Sequence, residues 1–396
     1  MKSKLLKYLD LIILFLCCLL IFSYLVKYVA TDINAHIQQI KIINKGLANY
    51  PANFLFYFII NLLSGFSNGN IMYFITVVVL TTATTFKYYI SKLFIIQYLK
   101  SFNKINYKGY AVNIALITMA LFFSFAIHDP YSLFVLKKVY LSKFVPIAWH
   151  NSTSIVLFPF AILLFWKQLK LFEFESETTL KEILIINVLV LINLLIKPSF
   201  IFAYAPVSFF YMIIKFKKRI SIKDFFLRLT PYILILIVVI IQYYLIYMQQ
   251  QGSFYNHKSS VILTTPFKML AYFIPYHFIP FSLLLSFLFP IVTYLSYNEI
   301  INYKPFKYAL HLTIVAIIIS AFIMEQGPRS SHGNFLWQNI ICTYLLFLSS
   351  ISFLINNFSS KASLSKKDKL ILCVLALHVI SGILYLAKIW YTLSYY

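Results

Sequence analysis

Long apolar stretches alternate with short polar segments along the whole chain. A helix of about 20 apolar residues crosses the hydrocarbon core of a bilayer, so each long stretch predicts a transmembrane helix. The pattern therefore predicts an all-α, polytopic integral membrane protein with about 11 transmembrane helices, folded as a single membrane-embedded domain over 1–396 without a separate soluble domain. The predicted spans are 10–29, 70–86, 109–127, 153–166, 183–198, 199–214, 230–248, 281–298, 308–324, 335–356 and 370–390.

Some segments depart from this pattern. The segment 51–65, PANFLFYFIINLLSG, is apolar but short, which favours an interfacial or re-entrant helix over a span. Lys197-Pro198 separates two apolar runs and predicts a break between two helices. No small-residue cleavage site follows the first span, so it is predicted to be retained. Prolines are expected to break or bound helices at Pro146, Pro159, Pro198, Pro206, Pro266, Pro275, Pro280 and Pro290.

Composition supports the membrane prediction. Hydrophobic residues make up 61% of the chain and charged residues 11%, whereas soluble domains average about 25% charged residues. The net charge of +23 does not indicate nucleic-acid binding, because the basic residues are distributed among the polar segments rather than gathered in one patch. The four cysteines lie within predicted spans without metal-ligand spacing and are interpreted as small packing residues.

The distribution of charge predicts how the chain is oriented. With the N-terminus in the cytoplasm, most of the 34 Lys and Arg residues fall in cytoplasmic segments, as the positive-inside rule requires. The densest of these segments is KFKKR at 215–219. We therefore expect a multi-pass protein of the bacterial inner (cytoplasmic) membrane. Only three of the 11 acids are then placed outside, and each has a histidine nearby: Asp32, Asp129 and Glu325.

Asp32 and His36 form the first of these outward groups. Residues four apart share one face of a helix, so the carboxylate and the imidazole are expected to lie together. Such a carboxylate is suited to orient the imidazole, to act as a general base or to help hold a divalent cation. The alternative is a helix start, where Thr31 and Asp32 cap the helix and His36 is solvated.

The sequence around this pair resembles one family. A first span is followed by the acid, a helical loop, Gly46, Tyr50-Pro51 and the amphiphilic PANFLFYFIINLLSG. This arrangement, over roughly residues 10–90, resembles the first outward loop of the C-type glycosyltransferases. Those are multispan enzymes that use polyprenyl-phosphate-linked sugar donors. The resemblance implies that Asp32 is the base that activates the acceptor, with His36 beside it.

The second outward segment, 128–153, supplies Asp129, Lys143, Trp149 and His150. Lysine binds phosphate as a point charge, and an aromatic face stacks on the apolar face of a sugar. The alternatives are a plain turn at His-Asp-Pro and an aromatic belt at headgroup depth. Lys197, between two apolar runs, is predicted to bind a phosphate of a lipid-linked substrate or else to snorkel.

The third outward segment is EQGPRSSHGNFLWQ at 325–338. It contains Glu325, Arg329 and His332, and Arg329 is the one arginine of three that is placed outside. Arginine binds phosphate bidentately through its planar fork, so in a lysine-rich chain this arginine indicates a phosphate contact. Asp129 or Glu325 is a candidate to hold a cation or to contact the acceptor.

These features and the resemblance together favour one function. We expect a membrane glycosyltransferase of cell-surface polysaccharide (O-antigen or capsule-like) assembly, which transfers a sugar or glycan from a polyprenyl-linked donor to an acceptor on the outer face. Its expected partners are that lipid-linked glycan and the bilayer, and not nucleic acid. An O-antigen polymerase that joins lipid-linked repeat units is a close alternative. A transporter or flippase is a second one, although the sequence shows neither an internal repeat nor paired acids and bases in the spans. No nucleotide-binding motif is present.

Overall fold

A computed structural model describes residues 8–102, 111–137, 140, 143–173, 179–216, 221–249, 259–330, 332–359, 361 and 363–395. Most of the predicted basic cluster at 215–219 lies outside the described residues. The described helices are α1 Leu9–Tyr28, α2 Asp32–Asn44, α3 Leu55–Leu63, α4 Asn70–Phe102, α5 Ala111–Phe123, α6 Ser152–Glu173, α7 Leu180–Ile196, α8 Ser199–Phe216, α9 Ile222–Tyr243, α10 Ile279–Ser296, α11 Lys304–Phe322, α12 Trp337–Ser359 and α13 Lys366–Thr392. Two short strands, β1 Ser260–Leu263 and β2 Ile323–Gln326, pair antiparallel.

Each of the predicted apolar runs falls on one of these helices, which confirms the all-α prediction. Eight of the described helices are long and apolar enough to cross a membrane: α1, α4, α6, α9 (with its π-helical extension), α10, α11, α12 and α13. The helices α5 and α7 have only 13 and 17 residues, and α8 is also among the shorter ones. The chain thus has the helices of a multi-pass membrane protein, while the count of eleven spans stays a prediction.

Helix α12 lies at the centre of the bundle, and almost every residue of it is buried. It packs against α4, α8, α10 and α11. The buried small residues Ser349, Ser350 and Ser352 allow neighbouring helices to approach closely. By contrast, α1 and α9 bury few residues and present apolar side chains outward. Burial thus decreases from the central helix to the outer ones, whose exposed side chains are apolar. This is expected when the surroundings of the bundle are themselves apolar.

The predicted end of the second span, at residue 86, is wrong. Helix α4 continues to Phe102, and Lys87 within it is only 3% exposed. Its ammonium lies 3.7 Å from the centre of the Phe158 ring and 3.8 Å from that of Tyr344. Aromatic faces attract a cation, which allows a lysine inside the bundle. A charge in the sequence therefore did not mark the end of this helix.

The helix break at Lys197-Pro198 is confirmed. Helix α7 ends at Ile196, Lys197 is extended, and α8 begins at Ser199. Other prolines were expected to break or bound helices, but Pro159, Pro206 and Pro290 lie inside α6, α8 and α10. Neighbouring helices and hydroxyl side chains can satisfy the backbone groups that such prolines free, so these helices continue.

Polar segments meet at one end of the bundle. The segments after α1, α5, α7 and α11 lie there, and so do those that precede α6, α8 and α12, because the long helices alternate in direction. The strand pair joins two of these segments, with Val261 opposite Glu325. The predicted short helix in 51–65 is present as α3. All three predicted outward segments are therefore on the same side of the bundle.

Candidate functional site

A cavity of about 740 Å³ lies between these polar segments. Its wall contains eight of the ten residues that the sequence singled out, contributed by segments far apart in the chain. They are Asp32, His36, Lys143, His150, Lys197, Glu325, Arg329 and His332.

Asp32 lies in the first turn of α2, half-buried, and its carboxylate faces Asn151. The Nδ2 of Asn151 donates a hydrogen bond of 2.7 Å to Oδ2 of Asp32. Asn151 is itself fixed, because its Oδ1 accepts from the hydroxyl of Thr153 (3.1 Å), the amide of Ser154 (3.0 Å) and the ammonium of Lys197 (3.0 Å). A single asparagine thus connects a carboxylate and a cation that are 165 positions apart in sequence.

The capping interpretation of Asp32 receives little support from this geometry. The N-cap of α2 is Thr31, whose side chain makes no capping hydrogen bond. Among the described residues, the Asp32 carboxylate accepts its side-chain hydrogen bond from Asn151 and belongs to no ion pair. Its second oxygen therefore has capacity to accept a proton or a hydrogen bond from a ligand.

His36 lies one turn further along α2, on the same face as Asp32. Its Nδ1 is 2.7 Å from the hydroxyl of Tyr57 in α3. Burial lowers the pKa of His36 to about 4, although the nearby Asp32 acts in the opposite direction. Burial likewise raises the pKa of Tyr57, so a neutral phenol and a neutral imidazole share this hydrogen bond. His36 is thus oriented by Tyr57 and carries no charge near neutral pH.

Lys197 is buried where α7 gives way to α8. Its ammonium lies 4.2 Å from the centre of the Trp337 ring, in addition to its hydrogen bond with Asn151. Burial lowers the pKa of Lys197 to about 7, while Asp32 and Glu325 act to raise it. The amine therefore titrates near physiological pH, and a bound anion would favour its charged form.

Glu325 and Arg329 occupy another part of the wall. Glu325 extends from β2, is 3% exposed, and accepts hydrogen bonds from the Nε of Arg329 (2.8 Å) and the hydroxyl of Tyr247 (2.6 Å). Its other oxygen accepts from the Nδ2 of Asn334 (2.5 Å). Among the described residues the guanidinium of Arg329 bonds through Nε alone, which leaves its two terminal amino groups for an anion.

The two remaining histidines of the wall are also uncharged. Burial lowers the pKa of His150 to about 4, and burial together with nearby Arg329 lowers the pKa of His332. The ring of His150 stacks on Tyr395 with centroids 4.1 Å apart and meets the edge of Tyr140 at 4.3 Å. This part of the cavity is thus aromatic and can present a flat apolar face to a ligand.

Several buried polar atoms on the wall have no hydrogen-bond partner among the described residues. They are the hydroxyls of Tyr140 and Ser199, Nδ1 of His150, Oε1 of Gln242 and Oδ1 of Asn339. Buried polar groups are nearly always paired in native proteins. Their number in one cavity indicates a ligand rich in hydroxyl groups or ordered water.

Asp129 and Trp149, the other two predicted residues, are not on the wall. Asp129 forms an ion pair with Lys143 and accepts a hydrogen bond of 2.8 Å from the amide of Ser132. Lys143 does border the cavity, but its charge is balanced by Asp129. Trp149 is 2% exposed and packs between Phe22 and Phe122. The geometry of these residues fits support of the fold better than ligand binding.

Sequence reasoning did not assign several residues of the wall to the site. Asn151 is the most important, and the sequence shows it only as a polar neighbour of His150 in the second outward segment. Tyr57, Tyr247, Gln242 and Asn339 lie in apolar helices or their extensions, where nothing in the sequence separates them from packing residues.

In the part of the chain that the structure describes, no three His, Cys, Asp or Glu side chains form a metal-binding group. All four cysteines are free thiols. No protein-family model matches the chain, and no curated protein is similar to it.

Proposed function

We propose that the chain is a membrane glycosyltransferase of cell-surface polysaccharide assembly. It takes a sugar or glycan from a polyprenyl-linked donor and transfers it to an acceptor hydroxyl on the outer face of the bacterial inner membrane. The observation that carries the proposal is the cavity itself. Among the described residues, it combines the Asp32 carboxylate, which forms no ion pair, with the cations Lys197 and Arg329 and a set of buried polar groups that lack a hydrogen-bond partner.

Asp32 is proposed as the general base. The acceptor oxygen attacks the anomeric carbon of the donor, and its proton passes to the carboxylate of Asp32. The bond between that carbon and the phosphate oxygen breaks, and the electron pair leaves with the phosphate. Asn151 fixes the position of the carboxylate, so the base need not reorganise as the proton moves.

Lys197 and Arg329 are proposed to bind the phosphate of the donor. Charge increases on the phosphate oxygens as the bond to the sugar breaks, and fixed cations stabilise that change most strongly where water is excluded. Lys197 is held near Asp32 through Asn151, and Arg329 is held by Glu325. The fork of Arg329 suits two phosphate oxygens, whereas Lys197 acts as a point charge.

The sugar is proposed to lie against the aromatic part of the wall. Trp337 and Tyr395 offer flat rings, and the unpartnered atoms of Tyr140, His150 and Asn339 offer hydrogen bonds to hydroxyl groups. Sugars combine an apolar face with many hydroxyls, so this wall matches their chemistry better than that of an inorganic ion.

Cells that lack the gene test this proposal. They should have a truncated surface glycan and should accumulate a polyprenyl-linked sugar, and the wild-type gene should reverse both changes. A gene that carries Arg329→Ala should reverse neither change, because loss of one transition-state donor typically lowers kcat by about 100-fold or more. Lys268→Ala removes an exposed cation outside the cavity and is the control. Unchanged glycan and lipid-linked pools in the deletion strain would rule the function out.

The pKa of Lys197 gives a pH-dependent prediction. The free amine is charged below about pH 7 and neutral above it, so kcat/KM for the donor should fall as pH rises through that value. At one pH unit above, about a tenth of the amine is protonated, which corresponds to roughly a tenfold loss. Lys197→Arg should remove this decline, because arginine stays charged. Identical pH profiles for the two proteins would contradict a phosphate role for Lys197.

A further inference from the structure

A second concave surface lies on the outside of the bundle, between the candidate spans α1 and α13. It is an apolar groove of about 660 Å³. None of the described residues that line it is charged, and they include Ile21, Tyr24 and Leu25 of α1 and Ala387, Trp390 and Tyr391 of α13.

One aromatic pair joins the two helices across the groove. The rings of Tyr24 and Trp390 stack with centroids 4.0 Å apart and an interplanar angle of 10°. The hydroxyl of Tyr24 also donates a hydrogen bond of 2.8 Å to the carbonyl of Trp390. Elsewhere the described parts of α1 and α13 make few contacts with each other. The groove is therefore a lateral gap between two spans that are fixed at one point.

Each of the two sides of the groove continues along the chain to the wall of the polar cavity. On one side, α1 leads from Leu25 to Asp32 on the cavity wall within seven residues. On the other, α13 leads from Trp390 to Tyr395, whose ring lies on His150 in the cavity. The seven residues from Leu25 to Asp32 include the extended Val29 and Thr31, and a chain of that length spans at most about 25 Å.

We propose that this groove binds the polyprenyl chain of the lipid-linked donor while the attached phosphate and sugar enter the cavity. This inference rests on the proposed function. A single apolar gap between two spans accommodates one chain, as a polyprenyl lipid has, rather than the two chains of a phospholipid. The exposed ammonium of Lys27 lies at the end of α1 towards the cavity, where it meets a lipid phosphate on its path.

Photo-crosslinking tests the groove directly. The full-length protein is reconstituted in vesicles of phosphatidylethanolamine and phosphatidylglycerol with a long-chain polyprenyl phosphate that carries a diazirine in its chain. After irradiation, mass spectrometry should place the label on 21–25 and 383–391. Unlabelled polyprenyl phosphate should compete, and the same amount of added phosphatidylglycerol should not.

Two matched tryptophan variants make the test specific. Ala387 lines the groove, whereas Ala376 is an exposed alanine of the same helix outside it. Ala387→Trp should lower labelling about tenfold, because the indole occupies the groove and displaces at least two methylenes of the lipid chain from it. Ala376→Trp should leave labelling unchanged.

Label spread evenly over the exposed faces of α1, α9 and α13, or displaced equally by phosphatidylglycerol, would overturn the proposal, because the groove would then hold ordinary bilayer lipid. The same result follows if both tryptophan variants label like the wild type. This readout needs no sugar transfer. If the groove is not labelled specifically but the deletion strain has a truncated glycan, this inference is overturned and the proposed function is not.

Discussion

Replacing Asp32 with asparagine is expected to lower the transfer rate by about 10²- to 10⁴-fold, the range that one general base contributes. Asparagine has almost the same shape as aspartate, and its carbonyl oxygen can still accept the hydrogen bond from Asn151. It cannot take a proton from the acceptor hydroxyl. The measurement is surface-glycan analysis of cells that carry the variant as their single copy, with the abundance of the protein determined in the membrane fraction.

Glu299→Gln is the matched control for this variant. It removes the same charge from an exposed acid that is not on the cavity wall. Normal abundance with a truncated glycan for Asp32→Asn alone would support the base. Normal abundance with an unchanged glycan would contradict it, leaving Asp32 as an acid that stabilises the start of α2 through the helix dipole. Glu325 would then be the candidate for the general base.

Much of the site was predictable because membrane proteins rarely tolerate charges at the bilayer boundary without a reason. That argument singled out Asp32, Glu325, Lys197 and Arg329, and the structure places all four on the wall of one cavity. It did not apply to Asp129, because a lysine fourteen positions later neutralises that acid inside the protein. Sequence patterns identify a charge that needs a partner, but the partner of an acid in an irregular segment depends on the fold.

The fold shows the same limit. Apolar runs predicted the helices well, because hydrophobic length is a local property. The end of α4 was predicted too early because the aromatic rings that hold Lys87 come from α6 and α12, far away in the sequence. Asn151 could not be recognised as a link between Asp32 and Lys197 for the same reason. Where a polar group is satisfied by tertiary contacts, its neighbours in the sequence carry little information about its role.

Gly382→Ala is expected to prevent stable folding. Gly382 lies in α13 where this helix meets the end of α5, and a Cβ atom there would be 1.7 Å from the carbonyl oxygen of Phe123. The obstructing atom belongs to the backbone, so no side-chain rotation can relieve the clash. Overpacking typically costs about 1–3 kcal/mol, and displacement of a backbone should exceed that range. The measurement is the amount of protein in the membrane fraction and its thermal aggregation temperature after purification.

Gly69→Ala provides the control for this substitution, because its Cβ atom would meet only the Ser67 hydroxyl at 3.4 Å. The two helices cannot easily move apart at Gly382, since the amide of Phe125 donates to the carbonyl of His378 at 2.9 Å. The His378 ring and the Phe125 carbonyl form a second contact at 2.5 Å. Equal abundance and equal thermal stability of the two glycine variants would therefore contradict this packing. Because α13 also borders the groove and leads to Tyr395 in the cavity, its close contact with α5 fixes the position of both proposed ligand sites.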